Sequence, residues 1–159
     1  GNYSLSLQII SIMMIFSSVI FKYLVPQEAS GRDTKFVKKI LIISGFSLTL
    51  IGFLIVPIVL PEIFPEYNES IEAIKIMSLS LLPMSITKIF DSKFLSLEKN
   101  HHILISTSIS LIVLILTMIL FGTWYGISGI ASSFVLAMII QAVYYFIIDK
   151  WKYDGIKTF

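Results

Sequence analysis

Long apolar runs separated by short polar stretches dominate the chain. Five of them approach membrane length, at roughly 5–25, 40–60, 72–94, 103–121 and 126–148. A hydrocarbon core about 30 Å thick takes about 20 residues of helix, so each run predicts one crossing. No stretch alternates with period two over about ten residues, which argues against a transmembrane barrel. The third run is the least apolar, because it holds Pro83, Lys88 and Asp91. Proline removes a backbone donor, so Pro83 predicts a kink there. The pattern predicts an all-α integral membrane protein with five transmembrane helices.

Composition strengthens that reading. Hydrophobic residues make up 56% of the 159 and charged residues 14%, against about 25% charged in soluble domains. Mean hydropathy is +0.89. Cysteine is absent, so disulfide and thiolate chemistry are excluded. A net charge of +2 gives no footprint for nucleic acid. The chain opens on Gly1 directly into an apolar run, as a piece of a longer protein would. That first run lacks a basic leading segment and a small-residue cleavage site, so it does not read as a signal peptide.

Charge then orients the crossings. Arg32, Lys35, Lys38 and Lys39 follow the first run, Lys93 and Lys99 the third, and Lys150, Lys152 and Lys157 the fifth. "PEIFPEYNES" after the second run has Glu62, Glu66 and Glu69 and no cation; "GTWYG" after the fourth has no charge. Basic loops stay cytoplasmic. The amino end is therefore expected outside and the carboxyl end in the cytoplasm, a parity that five crossings satisfy. Lys75 is the mild exception, and Glu72 lies one helical turn before it. The stretch "PQEASGRDTKFVKK" (26–39) reads either as a solvated linker or as a short helix lying at the headgroups.

Polar residues within the runs carry the functional information, since charge at membrane depth faces protein or water. Ser4, Gln8, Ser11, Ser18 and Lys22 recur at helical spacing in the first run. Lys75, Ser78, Ser85, Lys88 and Ser92 do so in the third, with Asp91 beside Lys88, and Gly126, Gly129, Ser133, Ala137 and Gln141 in the fifth. Serines and small residues are ordinary glue between membrane helices, Lys22 can snorkel, and Lys88 and Asp91 can form a local ion pair. The alternative is a water-filled cavity lined by Lys22, Lys88, Asp91, Gln8 and Gln141, its cations meeting an anionic substrate. Three polar faces exceed what a simple anchor needs.

Reaction chemistry is missing from the pattern. No Ser/His/Asp set, phosphate loop or paired carboxylates appear, so no enzyme activity and no cofactor are expected. His101 and His102 are adjacent and point about 100° apart on a helix, poor geometry for one metal; they read as a loop pair without function. Asn2-Tyr3-Ser4 and Asn68-Glu69-Ser70 match the short glycosylation pattern on the expected outer side. The glycines of "GTWYGISGIASSF" lack the G-x-G-x-x-G order and a preceding strand, so they read as packing positions in a span that begins at Gly126.

The run from "PEIFPEYNES" to "QAVYY" resembles the carboxyl half of polysaccharide flippases. These belong to the superfamily of multidrug extruders and lipid-linked oligosaccharide exporters. The marks are Pro65-Glu66-Tyr67 after an apolar span, a Pro83-interrupted helix ending in "KFLSLEKN", a Ser/Thr-dotted helix, and "YGISGIASSF" opening the next; "VPQEAS" resembles the family's corresponding cytoplasmic loop. The resemblance covers nearly the whole chain. It implies that residues 1–159 form most of the carboxyl-terminal lobe of a two-lobed fold, with the amino-terminal lobe and one helix lying elsewhere in the protein. It also implies a lipid-linked saccharide substrate, turned across the cell membrane by alternating access for cell-surface glycan assembly, with membrane lipids as surroundings. A cation-coupled multidrug extruder is the alternative within the superfamily, disfavoured because Glu72 and Asp91 are the only acids in the spans and both lie near membrane faces. A non-transporting assembly subunit is the alternative outside it.

Overall fold

In the computed structural model, which describes residues 2–63, 65 and 70–152, all regular structure is helical. Helix α1 spans Asn2–Ala29 and α2 spans Lys35–Leu50. One π-helical turn, Ile51–Ile55, joins α2 directly to α3, Val56–Ile63. Then come α4 (Ser70–Ser78), α5 (Leu81–Ser96) and α6 (Asn100–Lys152). Three segments are long and apolar enough to cross a membrane: Lys35–Glu62, Ile71–Ser96 and Asn100–Trp151. Helix α1, bent by 43° between Leu7–Ile15 and Ser17–Ala29, is a fourth if its two parts count as one span.

Helix α6 is not a single rod. Residues 110 and 137 of one straight helix would lie roughly 40 Å apart at 1.5 Å per residue. Yet Ser110 Oγ donates to the Ala137 carbonyl at 3.2 Å, and Gln141 Nε2 donates to Thr107 Oγ1 at 3.5 Å. The chain reverses at Gly126 (φ 58°, ψ −131°), a conformation that only glycine adopts without strain. Two antiparallel arms result, 100–125 and 127–152. The reversal falls where the apolar runs 103–121 and 126–148 meet. It is tighter than the expected loop, since Gly122–Tyr125 remain helical. The expected small face is present: Gly129, Ser133, Ala137 and Gln141 are buried. A Cβ on Gly129 would stand 2.5 Å from the Phe121 carbonyl carbon, so no larger residue fits that approach.

The least apolar run occupies the middle. Helix α5 packs against α1, α2 and α6, and α4 against α1, α3 and α6. In the most apolar stretch of Ile71–Ser96, 56% of residues are buried, against 11% in the most apolar stretch of Lys35–Glu62 and in that of Asn100–Trp151. The more apolar segments thus turn outward, exposing Ile12, Ile58, Leu104, Ile112 and Ile119 among many others. So much exposed apolar surface suits contact with hydrocarbon rather than water.

Local breaks follow from single residues. Pro83 sits in the first turn of α5, and the helix is interrupted at Leu79–Ser80 as the missing donor requires. Gly45 lets α2 close on α5, and Gly52 lets the π-helical turn close on α4: a Cβ on Gly45 would lie 2.7 Å from Ser85 Cβ, and one on Gly52 2.8 Å from Ser78 Cβ. Helix α1 ends in a Schellman motif, with Arg32 N–H donating to the Gln27 carbonyl at 3.1 Å, Gly31 N–H to that of Glu28 at 3.0 Å, and Gly31 at φ 71°. Most of 26–39 is therefore helical rather than an extended linker: it is the last turn of α1, a short turn, and the start of α2. An equivalent motif closes α5, although Glu98 (φ 56°) stands where glycine is usual.

Candidate functional site

Most of the described charged side chains gather at one end of the bundle, where α1 and α5 finish and α2 and α6 begin. Glu28, in the last turn of α1, is the hub. Its Oε1 lies 2.5 Å from Lys38 Nζ on α2 and accepts from Thr34 Oγ1 at 3.5 Å. Its Oε2 accepts from Ser92 Oγ on α5 at 2.5 Å. The next residue of α5, Lys93, pairs with Asp149 on the second arm of α6. Asp91 Oδ1 accepts from the Tyr145 hydroxyl at 2.5 Å, and Ser106 and Gln141 also hydrogen-bond Tyr145. Three successive residues of one helix thus bind α1 and α6. They can do so because successive helical side chains diverge by about 100°.

Aromatic packing encloses this polar layer. Tyr145 lies 5.6 Å from Phe90 and 5.5 Å from Phe94 between ring centroids, and all three are fully buried. His102 is helical and buried, contrary to the solvated loop expected for the histidine pair. Its ring lies 5.2 Å from Phe94, and its Nδ1 3.5 Å from the Tyr144 hydroxyl. Among the described residues, no buried side-chain nitrogen or oxygen lacks a hydrogen-bond partner. Breaking one partner of such a layer is costly, so it fixes how the helices sit.

The five cavity candidates fall into two groups. Lys88, Asp91 and Gln141 join the polar end. Lys88 Nζ lies 5.0 Å above the Phe21 ring and is an electrostatic neighbour of Asp91, and Gln141 reaches Asp91 through Tyr145. Lys22 and Gln8 are exposed on α1. With Ser4 and Ser11, also exposed, they follow one edge of the helix surface that faces away from the bundle, an edge that also holds exposed Ile15, and Ile12, Val19 and Tyr23 follow the other. Gln8 and Lys22 are roughly 20 Å apart along the helix, so no one small ligand bridges them.

The other polar stripe turns inward. Ser78, Ser85 and Ser92 are buried against Gly52, Gly45 and Glu28. Buried Ser78, Ser85 and Ser133 donate to carbonyls four residues earlier in their own helices. Ser17 also meets Ser85 at 3.4 Å across α1 and α5. These hydroxyls serve helix contacts, the glue reading rather than the cavity reading. Lys75 sits 5.0 Å from the Phe53 ring centroid.

Sequence reasoning missed Glu28, Asp149 and Tyr145 and the pairing of Lys38 and Lys93, and it placed Ser92 on the polar face of the third run without its partner. Lys38 and Lys93 were counted as topology charges, although both are buried. The usable signal was the acids: Glu28 and Asp149 stand in otherwise basic stretches, which suits pairing rather than orientation. Glu66, Tyr67, Asn68, Glu69 and Lys157 lie outside the described residues, as does the side chain of Asn2. Comparison of the chain with protein-family models, with curated proteins and with solved structures gives no match.

Proposed function

We propose that the chain is a carboxyl-terminal portion of a membrane transporter that turns lipid-linked oligosaccharide or polysaccharide precursors across the cell membrane. The proposed crossings are α1, α2 with α3, α4 with α5, and the two arms of α6. The amino end lies outside and the carboxyl end in the cytoplasm. The reversal at Gly126 and the exposed cations Arg32, Lys35, Lys39 and Lys99 support that arrangement.

One observation carries the functional reading. Ser4, Gln8, Ser11 and Lys22 form an exposed edge of α1, one of the proposed crossings, that is polar except at Ile15. Hydrocarbon against that edge is unfavourable, so it belongs beside water or a second lobe. The mechanism is physical rather than chemical. A saccharide and pyrophosphate head loses its water on entering hydrocarbon, at several kcal/mol per polar group. A polar cavity replaces that water while the lipid tail stays in the bilayer. Lys22 on the exposed edge of α1, and Lys88 packed over Phe21, are the cations that meet the phosphates in this reading, and the clasp around Glu28 and Lys93 holds the helices that present them.

The test is movement of a labelled lipid-linked oligosaccharide in vesicles holding the intact protein. Lys22→Ala and Lys88→Ala are each expected to slow it at least tenfold. Unchanged flipping in both variants removes these lysines from the mechanism. Export of cationic dyes without lipid movement overturns the cargo.

A further inference from the structure

Two adjoining surface depressions share Lys35 and Lys38 and differ in chemistry. The first, about 330 Å³, is lined by Glu28, Arg32, Asp33, Thr34 and Lys93 as well as the shared lysines. The second, about 420 Å³, runs along α2 past Lys39 to Ile42 and Ile43. Lys35, Lys39, Ile42 and Ile43 are spaced i, i+4, i+7, i+8, so they line one face of the helix. A charged hollow thus continues into an apolar groove at the point where α2 turns from basic to apolar.

The charges in the hollow do not cancel. Glu28 is matched by Lys38 and Lys93 by Asp149, while the exposed carboxylate of Asp33, which accepts from the Lys35 amide at 3.0 Å, offsets one of the three cations Arg32, Lys35 and Lys39 and leaves two in excess. Arg32, Lys35 and Lys39 are exposed. Arg32 Nη1 donates to Gln27 Oε1 at 3.2 Å, a neutral partner that leaves its charge uncompensated. Beside them the surface is apolar: Phe36, Ile43 and Phe46 are all more than half exposed.

We propose that this surface binds one anionic phospholipid, its phosphate against Arg32, Lys35 and Lys39 and one acyl chain along Ile42 and Ile43. Charge complementarity selects the headgroup, and the groove selects a molecule with a tail over a free phosphate. The site lies at the tip joining α1 to α2, beside the Glu28–Lys38 pair, so an occupying lipid steadies the clasp. The proposal rests on α2 entering a membrane and is independent of transport.

The test uses the intact protein in detergent, with phosphatidylglycerol, phosphatidylcholine or glycerol phosphate added. Native mass spectrometry reads retained lipid and thermal unfolding reads stabilisation. Each cation near an anionic lipid surface strengthens attraction roughly fivefold. Phosphatidylglycerol is expected to bind at least about tenfold more tightly than phosphatidylcholine, and Arg32→Gln/Lys35→Gln/Lys39→Gln to abolish that preference. Ile43→Ser should weaken phosphatidylglycerol binding, and glycerol phosphate should shift nothing. Equal binding of the two lipids by the unaltered protein overturns the proposal, as does a full shift with glycerol phosphate. A preference retained in the triple variant also overturns it. Because the readout is retention rather than flipping, failure here is separate from failure of the transport reading.

Discussion

Replacing Gly45 with alanine measures how closely α2 approaches the central helix. The new Cβ would lie 2.7 Å from Ser85 Cβ and 3.4 Å from the Leu81 carbonyl oxygen. Carbon atoms in contact prefer 3.5–4.0 Å, so the helices must part by about 1 Å. Overpacking of this kind costs about 2.5 kcal/mol, offset by about 1 kcal/mol of helix propensity on replacing glycine. The net expectation is about 1.5 kcal/mol of destabilisation. Ser85→Gly should cost about 1.1 kcal/mol, about 0.5 from a new helical glycine in place of serine and about 0.6 from the lost contact with Ser17. In the double variant the Cβ merely changes helices, the clash disappears, and the expected loss is only about 0.1 kcal/mol. Unfolding of all four proteins in mixed micelles by titration with a denaturing detergent gives the cycle, with an expected coupling of about 2.5 kcal/mol. Losses that add to within about 0.5 kcal/mol would refute the reasoning, because independent sites behave that way.

Further expectations concern the reversal, the clasp and the topology. Gly126→Ala places a Cβ in open space on a backbone at φ 58°, so strain alone should cost about 1–3 kcal/mol in the same unfolding assay. Asp149→Asn removes the carboxylate beside buried Lys93 and should cost about 3 kcal/mol or more, whereas Lys93→Met/Asp149→Leu should cost less than that single change. The cysteine-free chain makes labelling direct. Asp33→Cys and Lys99→Cys should react with an impermeant thiol reagent from the cytoplasmic side, and Trp124→Cys from the other; labelling of all three from one side sinks the five-crossing arrangement.

Much of the fold was legible because membrane helices announce themselves by apolar length. The interruption before Pro83 and the close approach at Gly129, Ser133 and Ala137 were also legible, since each depends on one residue's own chemistry. The π-helical turn at Ile51–Ile55 was not. It carries no proline, and its neighbour Ser78 comes from a distant helix. For the same reason the site was read in part. Asp91 and Lys88 stood out as charges in an apolar run, but their neighbours did not. Pairing of Lys93 with Asp149, or of Glu28 with Ser92, depends on which helices meet, and spacing along one helix holds no record of that. Charge sorting then misled, because a buried lysine at a helix end looks the same in sequence as a solvated one. The inward turn of Ser78, Ser85 and Ser92 follows from burial of the third run at the bundle centre, a choice made by competition among all the helices.

The two edges of α1 give the most direct test of the account. Single cysteines at Gln8, Ser11 and Lys22, and at Ile12 and Val19 as controls, can be placed in the intact protein in its membrane and treated with a hydrophilic thiol reagent. The account predicts rapid reaction at 8, 11 and 22, slowed by added lipid-linked oligosaccharide, and little reaction at 12 and 19. Equal reactivity along both edges, or none at 8, 11 and 22 with or without substrate, would contradict a polar path beside α1.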